Sequence, residues 1–363
     1  MSVRRILSVV GARPNFIKLG PVNESLARRG EVEHLIVHTG QHYDPSMSDT
    51  FFRELSIPEP SYNLGVGSGS HSYQIGAVIQ RLEPILAELR PDLVLVYGDV
   101  NSTVAAALVA VKDSVPLAHV EAGLRSFDRT MPEETNRVVT DQIADILFAP
   151  SRDAVGNLTR EGISSGRIQF VGNVMIDSLV RMLPRARALD SARRHGLQPD
   201  EFVVVTLHRP SNVDDPGALR EIVSALSDMS RTRPVVFPVH PRTRGRLDGN
   251  GFQNAAGVQL LEPLPYLEML ALVADAGLVI TDSGGVQEET TYLGVPCLTV
   301  RRNTERPITC SEGTNRLVEC QCDALVSAAA QATRPIHAPA IARWDGRAAE
   351  RIVAVLLDDA RFD

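Results

Sequence analysis

The chain is 363 residues long, 44% hydrophobic and 22% charged. Those proportions exclude a disordered or fibrous protein, and at about 150 residues per domain they leave room for about two domains with full cores. With 44 acidic and 37 basic residues the net charge is −7, so no global basic field exists to neutralise a nucleic acid, although local anion sites stay open.

The first apolar run, Ile6–Val10, is too short for a secretory signal, and no stretch reaches the ~20 apolar residues that span a bilayer. Cys297, Cys310, Cys320 and Cys322 contain one C-x-C and no second close pair to complete a metal site. The reading is a cytoplasmic protein with reduced thiols, no metal, and no membrane or nucleic-acid partner.

Strands are expected at Ile6–Val10, Leu35–Thr39, Leu93–Tyr97, Leu117–Val120 and Ile146–Ala149. A second series runs Phe202–Leu207, Val235–Val239, Leu278–Thr281 and Cys297–Val300. Helical patterns lie between them at Ser102–Val111, Glu133–Ile143, Ala218–Leu226 and Tyr266–Ala274. Near-continuous apolar strands alternating with helices predict parallel sheets covered on both faces. The expected fold class is α/β: two doubly wound, Rossmann-like domains, 1–172 and 173–344, facing across a cleft. The linker is placed near 172–200, and a C-terminal helix at about 345–363 packs back onto the first domain. Ligands of such sheets bind beyond the carboxyl ends of the strands, so chemistry is sought just after each strand.

After the first strand comes Gly11-Ala12-Arg13-Pro14-Asn15, with Lys18 about one turn on. The turn lacks the glycines of a dinucleotide site. Arg13 beside a helix start suits an anion such as a diphosphate, or is a plain surface arginine. Gly65–Ser70 follows Pro58-Glu59-Pro60 and reads as a flexible loop. Asp99 ends the Leu93–Tyr97 strand, with Ser102 or Thr103 placed to cap the next helix, and Glu121 occupies the same level one strand on. Glu133 and Arg137 are four apart on a helix face, a spacing that is usually a surface pair. Three carboxylates in one site would repel one another and push one toward acid and another toward base behaviour.

In the second half His208-Arg209 follows a strand, and Pro238-Val239-His240-Pro241 repeats the pattern more weakly. The strongest local signal is Thr281-Asp282-Ser283-Gly284-Gly285, where small residues let a helix N-terminus approach an anion. Glu289 lies about one and a half turns further, at reach for ribose hydroxyls, and Arg306 adds a cation.

In order along nearly the whole chain, these motifs resemble those of the non-hydrolysing UDP-N-acetylglucosamine 2-epimerases. The matching pieces are Gly11-Ala12-Arg13-Pro14, Gly40-Gln41-His42, Gly98-Asp99, His119-Val120-Glu121-Ala122-Gly123-Leu124-Arg125, Pro132–Arg137, Gly172-Asn173, His208-Arg209, Thr281–Glu289 and Thr304–Pro307. The resemblance implies a glycosyltransferase-B-like pair of domains, usually a homodimer. It also implies interconversion of UDP-N-acetylglucosamine and UDP-N-acetylmannosamine without NAD or an obligatory metal. By position it assigns Arg13, Lys18, Ser283, Gly284, Gly285, Glu289 and Arg306 to holding the UDP-sugar, and Asp99, Glu121, Glu133, Arg137 and His208 to the reacting sugar.

Several positions depart from the commoner members. Asn15 replaces a Glu, Tyr97 replaces a His, and Pro210-Ser211-Asn212 follows His208-Arg209. These changes also resemble a branch acting on UDP-2,3-diacetamido-2,3-dideoxyglucuronic acid. A hydrolysing 2-epimerase and, more remotely, a UDP-sugar glycosyltransferase are the other readings. Many members bind a second UDP-N-acetylglucosamine as activator through two Gln three residues apart. Here Asp44 follows Gln41 in the second place, and Gln41, His42 and His240 are the regulatory candidates.

Overall fold

The computed structural model describes residues 4–30, 32–41, 57–239, 241–249 and 257–358. Two compact units are present, one of residues 1–178 with 342–363 and the other of residues 179–341.

In the first unit the strands are β1 (Arg4–Val10), β2 (Val32–His38), β3 (Tyr62–Asn63), β4 (Leu93–Tyr97), β5 (Leu117–Val120), β6 (Ile146–Ala149) and β7 (Ile168–Phe170). They form one parallel sheet in the order β3-β2-β1-β4-β5-β6-β7. Its helices are α1 (Arg13–Ala27), α2 (His71–Leu89), α3 (Asn101–Lys112), α4 (Pro132–Ile143), α5 (Arg152–Arg160) and α6 (Val174–Arg187). All five residues of β4 are buried, as a central strand covered on both faces requires. Val94 and Val96 share a core with Val78 and Leu82 of α2 and with Ala105 and Ala106 of α3. The run of alanines lets α3 pack closely between α2 and α4.

The stretch expected as a linker begins as helix, because the apolar side of Val174–Leu183 is buried; Pro184 lies within α6 without ending it. The second unit holds β8 (Val203–Thr206), β9 (Val235–Pro238), β10 (Val258–Leu261), β11 (Leu278–Thr281), β12 (Cys297–Val300) and β13 (Asn315–Val318), parallel in the order β10-β9-β8-β11-β12-β13. Its longer helices are α7 (Pro216–Met229), α8 (Pro241–Gly249), α9 (Tyr266–Asp275), α10 (Gly284–Leu293) and α11 (Cys322–Gln331). Along β8, Val203 and Val205 enter one core and Val204 the other, the two-residue period of a strand buried on both sides.

The chain closes with α12 (Ala348–Asp358), which packs on α1 within the first unit. The buried Asp177 carboxylate of α6 accepts the Ala348 and Ala349 N–H groups at 3.1 and 2.7 Å, a cap supplied from another helix.

Both sheets reverse their winding between two adjacent strands: β1 and β4 in the first, β8 and β11 in the second. That reversal is where open α/β sheets leave a crevice at the strands' carboxyl ends. Residues 11–13, 98–99, 208–209 and 282–283 all follow these four strands.

Candidate active site

The turn after β1 is built on close approach. A Cβ on Gly11 would lie 2.1 Å from Ser102 Oγ, so only glycine lets this turn meet the start of α3. Asn15 ties the same turn together: Gly11 N–H and Ala12 N–H donate to its Oδ1 at 3.1 and 3.2 Å, and its Nδ2 donates to the Tyr97 carbonyl at 2.8 Å. Arg13 is exposed at the first position of α1.

Lys18 is buried and forms an ion pair with Glu121. Gly98, at φ +62°, makes room for it, since a Cβ there would lie 2.7 Å from Lys18 Nζ and 3.0 Å from Glu121 Oε2. Glu121 itself has φ +72°, a left-handed conformation uncommon for a non-glycine residue and characteristic of functional sites.

Arg137 pairs with both Asp99 and Glu134. The expected partner one residue earlier, Glu133, is half-buried, and its carboxylate makes no hydrogen bond or ion pair among the described residues. Glu134 instead accepts Ser126 N–H, Ser126 Oγ–H and Phe127 N–H at 2.8–2.9 Å. Burial alone would raise its pKa, but those bonds and Arg137 hold it below the usual carboxylate range. The carboxylates Asp99 and Glu121 thus each meet a cation.

Ser102 and Thr103 do not cap α3. The Ser102 N–H and Oγ–H donate to Gln41 Oε1 at 3.0 and 2.7 Å, and Thr103 Oγ donates to the Tyr97 carbonyl at 2.8 Å. Gln41 therefore serves as the cap, brought from the end of β2. The two regulatory candidates His42 and His240 lie outside the described residues.

In the second unit, His208 follows β8 with its side chain half exposed, and its Nδ1 is 3.0 Å from Asp282 Oδ1. Asp282 is wholly buried at the end of β11 and also accepts His208 N–H, Arg209 N–H and Asn212 Nδ2–H at 2.9–3.2 Å. Burial pushes its pKa up, and His208, Arg209 and Asn212 together pull it below the ordinary value. The sequence motif contained Asp282 but carried no sign of its partner, which is 74 positions away.

Ser283 precedes α10, and Gly284 leaves room for the Arg306 guanidinium, since a Cβ there would lie 2.3 Å from its Nη1 and push the side chain aside. Gly285 continues the same first turn. Arg306 Nε lies 2.9 Å from Glu288 Oε1 without hydrogen-bond alignment, and its Nη1 donates to Glu305 Oε1 at 2.6 Å. Arg301 donates to the other Glu305 oxygen at 2.7 Å. An anion entering at this helix start meets oriented N–H groups and guanidinium groups together. Glu289 is buried, accepts the Tyr266 hydroxyl at 2.9 Å, and is pushed up to about 7 by burial, the Tyr266 bond lowering it and the charge of Glu288 raising it. Tyr266 escaped the sequence reading because its helical spacing marks it only as core.

Among the described residues no cluster of His, Cys, Asp and Glu is placed to hold a metal ion, and no helix is long and apolar enough to cross a membrane. The arrangement offers acid–base groups at the strand ends of one unit and, in the other, an anion-holding helix start beside a carboxylate-oriented histidine.

Residues 24–357 match the family model described as UDP-N-acetylglucosamine 2-epimerase. A UDP-N-acetylglucosamine 2-epimerase of Methanocaldococcus jannaschii is 42% identical over 362 residues, covering 96% of this chain and 97% of its own. A UDP-2,3-diacetamido-2,3-dideoxy-D-glucuronate 2-epimerase of Pseudomonas aeruginosa is 45% identical over 331 residues, covering 90% and 91%. The fold is that of the crystal structure of Methanocaldococcus jannaschii UDP-GlcNAc 2-epimerase in complex with UDP-GlcNAc and UDP, with a TM-score of 0.89, 40% identity and coverage of 98% and 100%. With the matched motifs spread over both sheets, the chain belongs to the UDP-N-acetylglucosamine 2-epimerase family.

Proposed function

We propose that the protein interconverts UDP-N-acetylglucosamine and UDP-N-acetylmannosamine by inverting C2, without hydrolysis. The C2 proton is not next to a carbonyl, so its direct removal is too costly. If the C1–O bond breaks first, UDP leaves with the bonding pair and the oxocarbenium charge at C1 makes that proton removable. A base takes it, C1=C2 forms, and a glycal-like intermediate remains beside UDP. Re-addition of UDP at C1, with a proton delivered to the opposite face of C2, completes the inversion.

Asp99, Glu121 and Glu133 supply acid and base, with Arg137 and Lys18 setting their charge balance. His208 acts at or near the reacting sugar. Arg13, Arg306 and the Ser283-Gly284-Gly285 helix start hold the UDP, and Glu289 takes the ribose. The observation that carries this reading is the pairing of Asp99 and Glu121 with buried cations at the ends of adjacent strands. A general anion-binding protein has no use for such carboxylates. We place the activity in the cytoplasm and in a homodimer; family resemblance supports both.

The reading is tested with Asp99→Asn, Glu121→Gln and Glu133→Gln. Each is expected to lower kcat by about 10²-fold or more while UDP still binds. Interconversion at the parental rate in all three would sink it.

A further inference from the structure

His119 takes no part in the steps above, yet its ring is wholly buried between two acceptors. Nε2 lies 2.7 Å from the Gly98 carbonyl oxygen and Nδ1 lies 2.7 Å from Asp141 Oδ1. A carbonyl oxygen has no proton to give. Asp141 faces the Arg125 guanidinium, whose charge keeps a carboxylate ionised. Its other oxygen accepts Gly123 N–H at 3.0 Å and meets Arg125 Nη1 at 2.7 Å. Arg125 in turn donates to both oxygens of Glu161 at 2.7 and 2.6 Å.

A neutral imidazole has one N–H and one lone pair, so one of these contacts would set a lone pair against an acceptor inside the core. Charge counting agrees. With a protonated ring, His119 and Arg125 balance the buried Asp141 and the partly exposed Glu161; with a neutral ring, Arg125 alone faces both carboxylates. Across Gly98 the charged neighbours are Lys18 and Glu121, already paired with each other.

We propose that His119 is an imidazolium donating from both ring nitrogens, and that it is a positioning residue for epimerisation. By pinning the Gly98 carbonyl it holds the turn that presents Asp99 and leaves room for the Lys18–Glu121 pair. Of its two parts, the positioning role rests on the 2-epimerase reading and the protonation state does not.

Histidine-selective ¹⁵N labelling of the whole protein reads the ring directly. Both nitrogens of His119 face acceptors, so both are expected to carry a hydrogen in the folded protein. A ring with one bare nitrogen overturns the protonation claim whatever the activity. Two variants then test positioning. His119→Gln keeps a donor near the Nε2 position for Gly98, whereas His119→Asn keeps one near Nδ1 for Asp141 alone. The Asn variant is expected to lose about 10²-fold in kcat with KM within about 3-fold, and the Gln variant to recover roughly tenfold of that loss. Equal kcat in the two, or a loss confined to KM, overturns the positioning role. The wild-type spectrum decides the first part even if a variant fails to fold.

Discussion

Asp282 gives His208 its orientation. Its carboxylate faces Nδ1, so that nitrogen carries the proton and Nε2 the lone pair; the same carboxylate holds the His208 and Arg209 N–H groups. An amide at this position presents an N–H to Nδ1 and reverses the tautomer, the logic of carboxylate–histidine pairs in nucleophilic enzymes. Asp282→Asn is therefore expected to lower kcat on the order of 10²-fold or more, with a much smaller change in KM. Steady-state kinetics on a folded variant checks it, and an unchanged kcat would remove Asp282 from the account. The rule that chemistry follows strands made Asp99, Glu121, His208 and Ser283 legible in the sequence. The residues that brace the neighbouring turns and side chains were not: Asp141 faces His119, Asn15 ties the turn after β1 and Tyr266 donates to Glu289, all from inside helices, and only the folded chain shows what they face.

Across elements, β4, β1, β2 and α1 are stitched by a chain of polar side chains, buried at Tyr97 and Ser8 and partly buried at His34 and Asn23. Tyr97 Oη lies 2.9 Å from Ser8 Oγ, Ser8 Oγ lies 2.8 Å from His34 Nε2, and His34 Nδ1 lies 2.9 Å from Asn23 Oδ1. A neutral His34 completes this chain, with Nδ1–H donating to Asn23 and Nε2 accepting from Ser8. A charged ring would turn Nε2 into a donor and leave one hydroxyl hydrogen, on Ser8 or Tyr97, without an acceptor in this chain. Burial accordingly lowers His34 to about 4 from 6.5. Because the folded pKa lies below the unfolded one, the stability is present above about pH 6.5 and is lost as pH falls toward 4. The full loss is about 3 kcal/mol by linkage. Asp177, raised to about 6 by burial, has the opposite slope, so the comparison is with His34→Gln. Urea unfolding at pH 7 and 5 is expected to show a smaller loss of stability in that variant; identical slopes would contradict the assignment. The nine expected strands form the interior of both sheets, where continuous apolar runs are required. The edge strands β3, β7, β10 and β13 were missed because each is short and, for the most part, only half covered, so no apolar run marks them.

For the whole molecule, the chain leaves the first unit within α6 and returns to it at residue 342. Asp177 secures the return by capping α12. Asp177→Ala is expected to cost about 1 kcal/mol and to speed proteolysis around residues 342–347 with little change elsewhere. A cleavage pattern equal to the parent's would show that packing of α12 on α1 suffices. A net charge of −7 argues against a polyanion partner and says nothing against a small anion held locally. In the proposed reaction C2 loses and regains its proton while UDP is eliminated and re-added. Incubation with UDP-N-acetylglucosamine in deuterium oxide tests this most directly. UDP-N-acetylmannosamine bearing deuterium at C2, with no net release of UDP, is the predicted result. A manno product that keeps its original hydrogen, or free N-acetylmannosamine with UDP, would contradict it.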